Sequence, residues 1–333
     1  MNEGVLKISI NDDRVRGEIS RRFEEIGSHH IYSSFNHIHI TYDTWKQLQR
    51  YTCIIQSILS DEQLDKCKGM LVGKNQDPIY QMEEYPFSQL SLIIKNPIFV
   101  KIIQEQLFQS FMQPIIATKD QQVIGYEFLL RPNSKIYTFH PGELFLFAQH
   151  TGLQSMLDSQ ARITSIKTAS HFLPTGMKQF INFLPSSIYD PQHCLNTTFA
   201  AVKEYGVDPQ DLIFEVVETE KIKEVSHLKN IFDTYQKAGM KIALDDIGSG
   251  YATIELLKEL KPDYAKIDRE LIQNCHQSAA KLEKIKQLSE ITKAMGTILL
   301  AEGIETIEEF NAIKPLVDLA QGYYFGKPIK NPA

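Results

Sequence analysis

The side chains of this chain that are best suited to chemistry are acidic and amide groups that follow short apolar stretches. They are Glu127, Asn182, Glu215, Glu218, Asp245, Asp246, Asp268, Glu302, Glu305 and Gln321, with Lys266 as the cation among them. Carboxylate and amide oxygens are hard ligands that suit Mg²⁺ or Mn²⁺. Carboxylates gathered in one place would repel one another and would repel an anionic phosphodiester. Two divalent cations would offset both repulsions, and paired divalent cations recur in enzymes that transfer or hydrolyse phosphoryl groups.

Oxygens from Glu127, Asn182, Glu215 and Asp245 would form one cation site, and Asp245 would bridge to a second cation with Asp246. Each position taken alone has a simpler explanation. Strand glutamates often pair with arginine, the acidic and glycine residues at 245–250 favour a turn, and an acidic residue suits the start of a helix. The recurrence of such groups after successive strands favours a shared site.

Short apolar strands alternate with helical stretches over the C-terminal two-thirds of the chain. The predicted strands are 111–117, 122–130, 179–183, 212–217, 241–244, 264–267, 297–301 and 317–320. Eight strands with intervening helices over about 220 residues are typical of a (β/α)₈ barrel, which builds its site at the carboxyl ends of the strands. The first two strands are close enough for a hairpin, so one strand must run against the others. The predicted fold is therefore α/β, a TIM-like (β/α)₈ barrel with one antiparallel strand.

A small α/β domain is predicted before the barrel, over residues 1–95, and its role is not readable from the sequence. Strands are predicted at 5–10 and 37–41, and helices at 12–27, 42–59 and 62–71. Asn96 and Pro97 then suggest an N-cap and a first helical residue. Ile98, Ile102, Ile103 and Leu107 follow at helical spacing, which predicts a connecting helix with one apolar face over 96–110. The barrel would occupy residues 111–333.

Composition limits the class of protein. The net charge is −6 and no basic stripe stands out, which argues against binding to polymeric nucleic acid. No apolar run approaches the roughly 20 residues that would span a bilayer, and the first residues do not resemble a secretion signal. The four cysteines are scattered, as expected for reduced thiols. These features predict a cytoplasmic protein without a membrane span.

Seven short motifs occur in a fixed order along the predicted barrel. They are 126–131 (YEFLLR), 180–185 (FINFLP), 214–218 (FEVVE), 244–251 (LDDIGSGY), 266–268 (KID), 301–305 (AEGIE) and 321–328 (QGYYFGKP). This series resembles the EAL domain family, the cyclic di-GMP phosphodiesterases. The family fold is a barrel with one antiparallel strand, in agreement with the hairpin inferred from the strand pattern.

The resemblance also implies roles for individual residues. Glu127, Asn182, Glu215 and Asp245 would bind the first cation, and Asp246 would help to hold the second. The catalytic group would comprise Lys266, which positions the attacking water, Glu302, a candidate base, and Glu218, which anchors the loop after Asp246. Substrate contacts would come from Arg131, whose planar fork suits phosphate or guanine, and from Gln321, Glu305 and Asp268.

We therefore predict hydrolysis of cyclic di-GMP to linear pGpG with two Mg²⁺ or Mn²⁺ ions, by a homodimer joined through the barrel. One alternative is a weakly active or inactive cyclic di-GMP receptor that signals to a protein partner, and another is a barrel enzyme for a different phosphodiester. Phe128, Ile247 and Ser249 depart from the family pattern but remove no ligand. Strand alternation should turn Phe128 away from the side of Glu127.

Overall fold

The computed structural model describes residues 3–26, 31–73, 84–216, 225–248 and 254–331. The chain divides into two compact units. The first contains Met1–Leu107 and Ile136–Gln154, and the second contains Phe108–Lys135 and Ser155–Ala333. In the described parts of the chain, no helix combines the length and the apolar character needed to cross a bilayer.

The first unit is built on a five-stranded antiparallel sheet with the strand order β2-β3-β1-β4-β5. Its strands are β1 Gly4–Ser9, β2 Ile31–Ser34, β3 His37–Tyr42, β4 Lys68–Gly73 and β5 Tyr85–Pro86. Its helices are α1 Asp13–Glu25, α2 Trp45–Ile58, α3 Asp61–Lys66, α4 Phe87–Lys95, α5 Pro97–Gln104 and α6 Pro141–Thr151. The strand residues alternate between buried and partly exposed positions, as a sheet covered on one face requires.

Two helices of the first unit are shorter than the sequence predicts. The helix expected at 62–71 ends at Lys66, and the residues from Lys68 onward form β4, which pairs along its whole length with β1. Pairing with a neighbouring strand overrides the local helical preference there. The helix expected over 96–110 ends at Gln104, because Gln106 has a φ of 53° and the next strand begins at Phe108.

The predicted apolar face of the same helix is only partly correct. Val100, Ile102 and Ile103 are fully buried, whereas Ile98 is 56% exposed. Asn96 precedes the helix as predicted, but its side chain donates to Leu92 O of the preceding helix instead of capping α5.

The second unit is a barrel of eight strands with helices between them. The strands are β6 Phe108–Ala117, β7 Val123–Pro132, β8 Lys178–Phe183, β9 Leu212–Val216, β10 Lys241–Ile247, β11 Tyr264–Ile267, β12 Ile298–Ala301 and β13 Leu319–Gln321. The helices are α7 Gln154–Phe172, α8 Pro191–Cys194, α9 Asn196–Tyr205, α10 Val225–Lys237, α11 Ile254–Leu260, α12 Arg269–Ile272, α13 Ala279–Met295 and α14 Ile307–Ile313.

The barrel closes between its first and last strands. Strand β6 runs antiparallel to both of its neighbours, β7 and β13, and the remaining adjacent pairs are parallel. The prediction of a TIM-like barrel with one antiparallel strand, preceded by a small α/β sheet, is therefore confirmed.

The strands of the barrel separate two apolar cores. Phe128 of β7 and Ile247 of β10 lie in the larger one, where the strands pack against the helices, so Phe128 points away from Glu127 as predicted. The smaller core fills the inside of the barrel with Ile115, Phe180, Ile213, Ala243, Tyr264, Leu300 and Leu319. Because side chains alternate along a strand, the residues two positions beyond this inner layer also face the barrel axis.

Gly125 of β7 gives a test of how closely two barrel strands approach. A Cβ atom at this position would collide with the carbonyl group of Lys178, its partner on β8. We expect Gly125→Ala to lower the free energy of unfolding by about 3 kcal/mol, because backbone atoms in a closed barrel have little freedom to separate. The measurement is urea denaturation followed by circular dichroism.

Gly142→Ala is the matched control, since a Cβ atom at Gly142 meets nothing within 4 Å. Alanine is the better helix former, so this change in α6 should stabilise the protein by about 0.5–1 kcal/mol. Equal unfolding free energies for the two variants would contradict the close approach of β7 and β8.

Candidate metal centre

A layer of polar side chains covers the inner apolar layer at the carboxyl ends of the parallel strands. Each member stands two positions after a residue of the inner layer on β8 to β13, and β7 adds one more. The layer comprises Glu127, Asn182, Glu215, Asp245, Lys266, Glu302 and Gln321. Seven sequence-predicted residues, six from different strands and Glu302 from the position directly after β12, are thus brought to one end of the barrel.

Lys266 of β11 stands at the centre of this layer, with only 1% of its side chain exposed. Its Nζ atom lies close to oxygens of four carboxylates. The distances are 2.5 Å to Glu302 Oε1, 3.0 Å to Glu215 Oε2, 3.3 Å to Asp245 Oδ1 and 3.9 Å to Glu127 Oε1. One buried ammonium group therefore faces an excess of negative charge.

Glu127 is held by two amide side chains. Asn182 Nδ2 donates to Glu127 Oε1 at 3.1 Å, and Gln321 Nε2 donates to Glu127 Oε2 at 2.7 Å. These bonds join β8, β7 and β13 across the barrel mouth. They also turn the carbonyl oxygens of both amides away from Glu127, which leaves those oxygens as ligands or acceptors.

Two consecutive aspartates reach the cluster because β10 is irregular. In a regular strand Asp245 and Asp246 would face opposite sides. The pairing of β10 with β11 shifts register between Leu244 and Ile247, as in a β-bulge, and Asp246 has a φ of 55°. Bulges of this kind often re-aim side chains next to functional sites. As a result, ligand oxygens of Asp245, Asp246 and Glu302 all lie within 4.8 Å of one another.

Burial makes the ionised carboxylates of the cluster unfavourable. It raises the pKa of both Glu215 and Glu302 well above the usual value, and the charge of Lys266 only partly opposes this. Burial, followed by the charges of Asp245 and Asp268, raises the pKa of Asp246 to about 7. Burial alone would lower the pKa of Lys266, but the surrounding carboxylates raise it well above its usual value.

The donor set fits divalent cations. Glu215 Oε1 and Gln321 Oε1 are buried in this layer without a hydrogen-bond partner in the described protein. Buried oxygens in that condition are costly unless something binds them. Because all the ligand atoms are oxygens, the site suits hard cations such as Mg²⁺ or Mn²⁺. The cluster thus has both the charge and the free oxygens that a cation needs.

Other predicted site residues are not members of the polar layer, although Asp268 is close enough to Asp246 for its charge to raise the pKa of Asp246. Arg131 Nη1 donates to Leu130 O at 2.8 Å, and Glu305 pairs with Arg269 Nη2 at 2.6 Å on the surface. Asp268 accepts a hydrogen bond from Glu270 N and caps α12. Glu218 and Ser249 lie outside the described residues.

The sequence interpretation missed three residues that line a cavity of about 180 Å³ beside Glu127 and Glu302. They are Gln113, Arg269 and Tyr323. Gln113 is opposite Glu127 in the register of β6 and β7, and the available signal was that it is the one amide in the predicted strand 111–117. Tyr323 is 54% exposed, and Lys327 Nζ lies 5.3 Å from its ring centre. No sequence signal distinguishes Arg269 from other charged surface residues.

Comparison with known proteins identifies relatives of the barrel. The family model described as EAL domain matches residues 99–328. The cyclic di-GMP phosphodiesterase PdeL of Escherichia coli K12 is 26% identical over 239 residues, which cover 68% of this chain and 64% of PdeL. The chain thus spans less than two thirds of the length of curated relatives such as this one.

Solved structures extend the comparison. A standalone versatile EAL protein from Vibrio cholerae O395, in its c-di-GMP bound form, is 32% identical with a TM-score of 0.62. That match covers 68% of this chain and 94% of the other. Klebsiella pneumoniae BlrP1, solved as a manganese/cy-diGMP complex, is 20% identical with a TM-score of 0.61. That match covers 98% of this chain and 96% of the BlrP1 chain. At that identity the second match shows the fold alone.

The raised pKa of Asp246 predicts how the stability of the metal-free protein depends on pH. An aspartate in the unfolded chain titrates near pH 4, whereas Asp246 in the folded protein has a pKa of about 7. Between these values the folded protein binds a proton that the unfolded chain has released, so stability should fall as the pH rises from about 4 to 7. Thermal unfolding in a chelator across this range measures the slope.

Asp246→Asn should reduce that slope, to which Glu215 and Glu302 also contribute because burial raises their pKa values, whereas Asp233→Asn on α10 should leave it as in the wild type. Addition of Mn²⁺ at pH 7 should recover stability in the wild type, because a bound cation offsets the carboxylate charge. A pH profile of Asp246→Asn that matches the wild-type profile would contradict the assignment.

Proposed function

The chain belongs to the EAL domain family, and we propose that it is a metal-dependent phosphodiesterase that hydrolyses cyclic di-GMP to the linear dinucleotide pGpG. The observation that carries this proposal is the convergence of oxygen donors from separate strands around Lys266, where buried oxygens of Glu215 and Gln321 have no hydrogen-bond partner among the residues that the structure describes. The choice of substrate is supported by PdeL, which is named as a cyclic di-GMP phosphodiesterase, and by the Vibrio protein, which was solved with c-di-GMP bound.

Two cations would have different ligands in the proposed site. Glu127, Asn182, Glu215 and Asp245 would hold the first, and Asp246 would hold the second together with Asp245. When bound, the cations would neutralise the carboxylates and stabilise the charges of the attacking and leaving oxygens. The bulge in β10 supports this assignment, because it places both aspartates on the same side.

The protein's own side chains would then orient the reactants. Lys266 donates from a buried position, so its ammonium group can hold the attacking water with little loss of entropy on binding. Glu302 Oε1 lies 2.5 Å from Lys266 Nζ, in a position to accept a proton from that water. Gln321 fixes Glu127 through its amide nitrogen, which adds a supporting role to the predicted substrate contact.

Substrate would enter along the cavity beside Glu127 and Glu302. The guanidinium of Arg131 carries five N–H donors, and its planar fork suits a phosphate or the edge of a guanine. Glu305 is neutralised by Arg269 at the rim of the cavity, so it would not repel an approaching phosphate.

Three further expectations stay predictions. They are the role of Glu218 as a loop anchor, the homodimer and the cytoplasmic location.

Hydrolysis of cyclic di-GMP tests the proposed function directly. The wild-type protein should convert the dinucleotide to pGpG with Mg²⁺ or Mn²⁺, and a chelator should stop the reaction. Glu127→Gln keeps the shape of the side chain but removes its charge. We expect the rate to fall by at least about 100-fold, since even outer-shell changes cost metal sites about 10–100-fold.

Glu204→Gln on the exposed side of α9 is the control and should keep the wild-type rate. Chromatography after a day of incubation with Mn²⁺ quantifies the product. If cyclic di-GMP binds but remains intact, the phosphodiesterase proposal is wrong and the receptor alternative takes its place. Full activity of Glu127→Gln would refute the assignment of the ligands.

A further inference from the structure

A buried ion pair lies outside the carboxylate cluster, between the barrel strands and the helices. Asp158 and Arg162, one turn apart on α7, are each 2% exposed, and Arg162 Nη1 donates to Asp158 Oδ2. Burial of two charges costs desolvation energy, and apolar replacements of such pairs are often neutral or stabilising. The stability of the fold therefore does not account for this ion pair, and its other contacts indicate its role.

Asp158 also binds the turn that follows β8. Its Oδ1 atom accepts from Leu184 N at 3.0 Å, and its Oδ2 atom accepts from the Ser187 hydroxyl. Strand β8 ends at Phe183, so the Leu184 amide has left the sheet and needs an acceptor in a buried position. The Asp158 carboxylate thus supplies the hydrogen-bond acceptor that the sheet no longer provides for the Leu184 amide.

Further bonds fasten the same turn on both sides. Ser155 Oγ of α7 donates to Ser187 O at 2.9 Å, and His227 Nε2 of α10 lies 2.6 Å from Ile188 O. Arg162 Nε extends the network by donating to Thr198 Oγ1 of α9 at 3.2 Å. Two helices, α7 and α10, therefore hold this short turn, and Arg162 ties α7 to α9.

Asn182 lies only two residues before Leu184. Its amide nitrogen donates to Glu127 Oε1, which orients its carbonyl oxygen as the prospective cation ligand. Successive residues of a strand are about 3.3 Å apart, so a shift of the turn passes to Asn182 through few rotatable bonds. A neutral amide lacks the charge that would draw it to a cation from a distance, so its placement depends on the backbone.

We infer that Asp158 is a positioning residue for the metal centre: by fixing the turn Leu184–Ser187 it holds the Asn182 amide against Glu127. The inference rests on the proposed function, since it assigns Asn182 to a cation. It predicts that loss of the Asp158 contacts weakens cation binding although no ligand is changed.

Two variants separate positioning from folding. Asp158→Leu combined with Arg162→Met replaces the ion pair by apolar side chains, removes the acceptor of Leu184 N and leaves no unpaired buried charge. Ser187→Ala removes one bond of the turn and keeps the ion pair. Mn²⁺ binding without dinucleotide, followed by the electron paramagnetic resonance signal of free Mn²⁺, should weaken about 10-fold in the double variant and about 3-fold in Ser187→Ala.

Thr118→Val is the control for a general loss of stability. Its hydroxyl donates to Val317 O at 2.7 Å, in a buried bond at the amino-terminal end of β13, so this variant should lose stability but bind Mn²⁺ as the wild type does. Wild-type Mn²⁺ affinity in both test variants would overturn the inference while the proposed function stands. A wild-type protein that binds no Mn²⁺ would overturn both, and if the double variant does not fold, Ser187→Ala decides.

Discussion

A single buried ammonium group holds the mouth of the barrel together. Lys266 on β11 faces carboxylates that come from β7, β9 and β10 and from the residue after β12, and each of these would be costly to bury in ionised form without it. The apolar layer beneath supplies the low-dielectric surroundings that make this attraction strong. One ammonium group cannot balance four carboxylates, and the proposed cations would offset this imbalance.

Much of this arrangement could be predicted from the sequence, because strand periodicity fixes which side chains face the barrel axis. Apolar residues at 180, 213, 243, 264, 300 and 319 are each followed two positions later by a polar group, and all of these groups meet. The bulge at Asp245 and Asp246 could not be predicted in this way. It depends on the pairing of β10 with β11, which shifts the register and has no local sequence signal.

The same distinction between local and long-range structure explains the errors. The helix predicted over 62–71 ends at Lys66, because pairing with β1 in the sheet determines the structure from Lys68 onward. The substrate-binding role of Glu305 stays a prediction, but its motif gives no sign that Arg269 of α12, 36 residues away in sequence, pairs with it. Side-chain partners brought together by tertiary folding are not encoded in the spacing of a motif.

The seam between β6 and β13 has a consequence for biosynthesis. Gln321 binds Glu127 across 194 residues of sequence, and Thr118 binds the backbone of Asp318 across 200. A ribosome that emits a few residues per second has therefore exposed the first two strands for tens of seconds before their partner arrives. Until then β6 keeps one unpaired edge, which can associate with other chains. Chains that stall before Gln321 lack one of the two amides that hold Glu127.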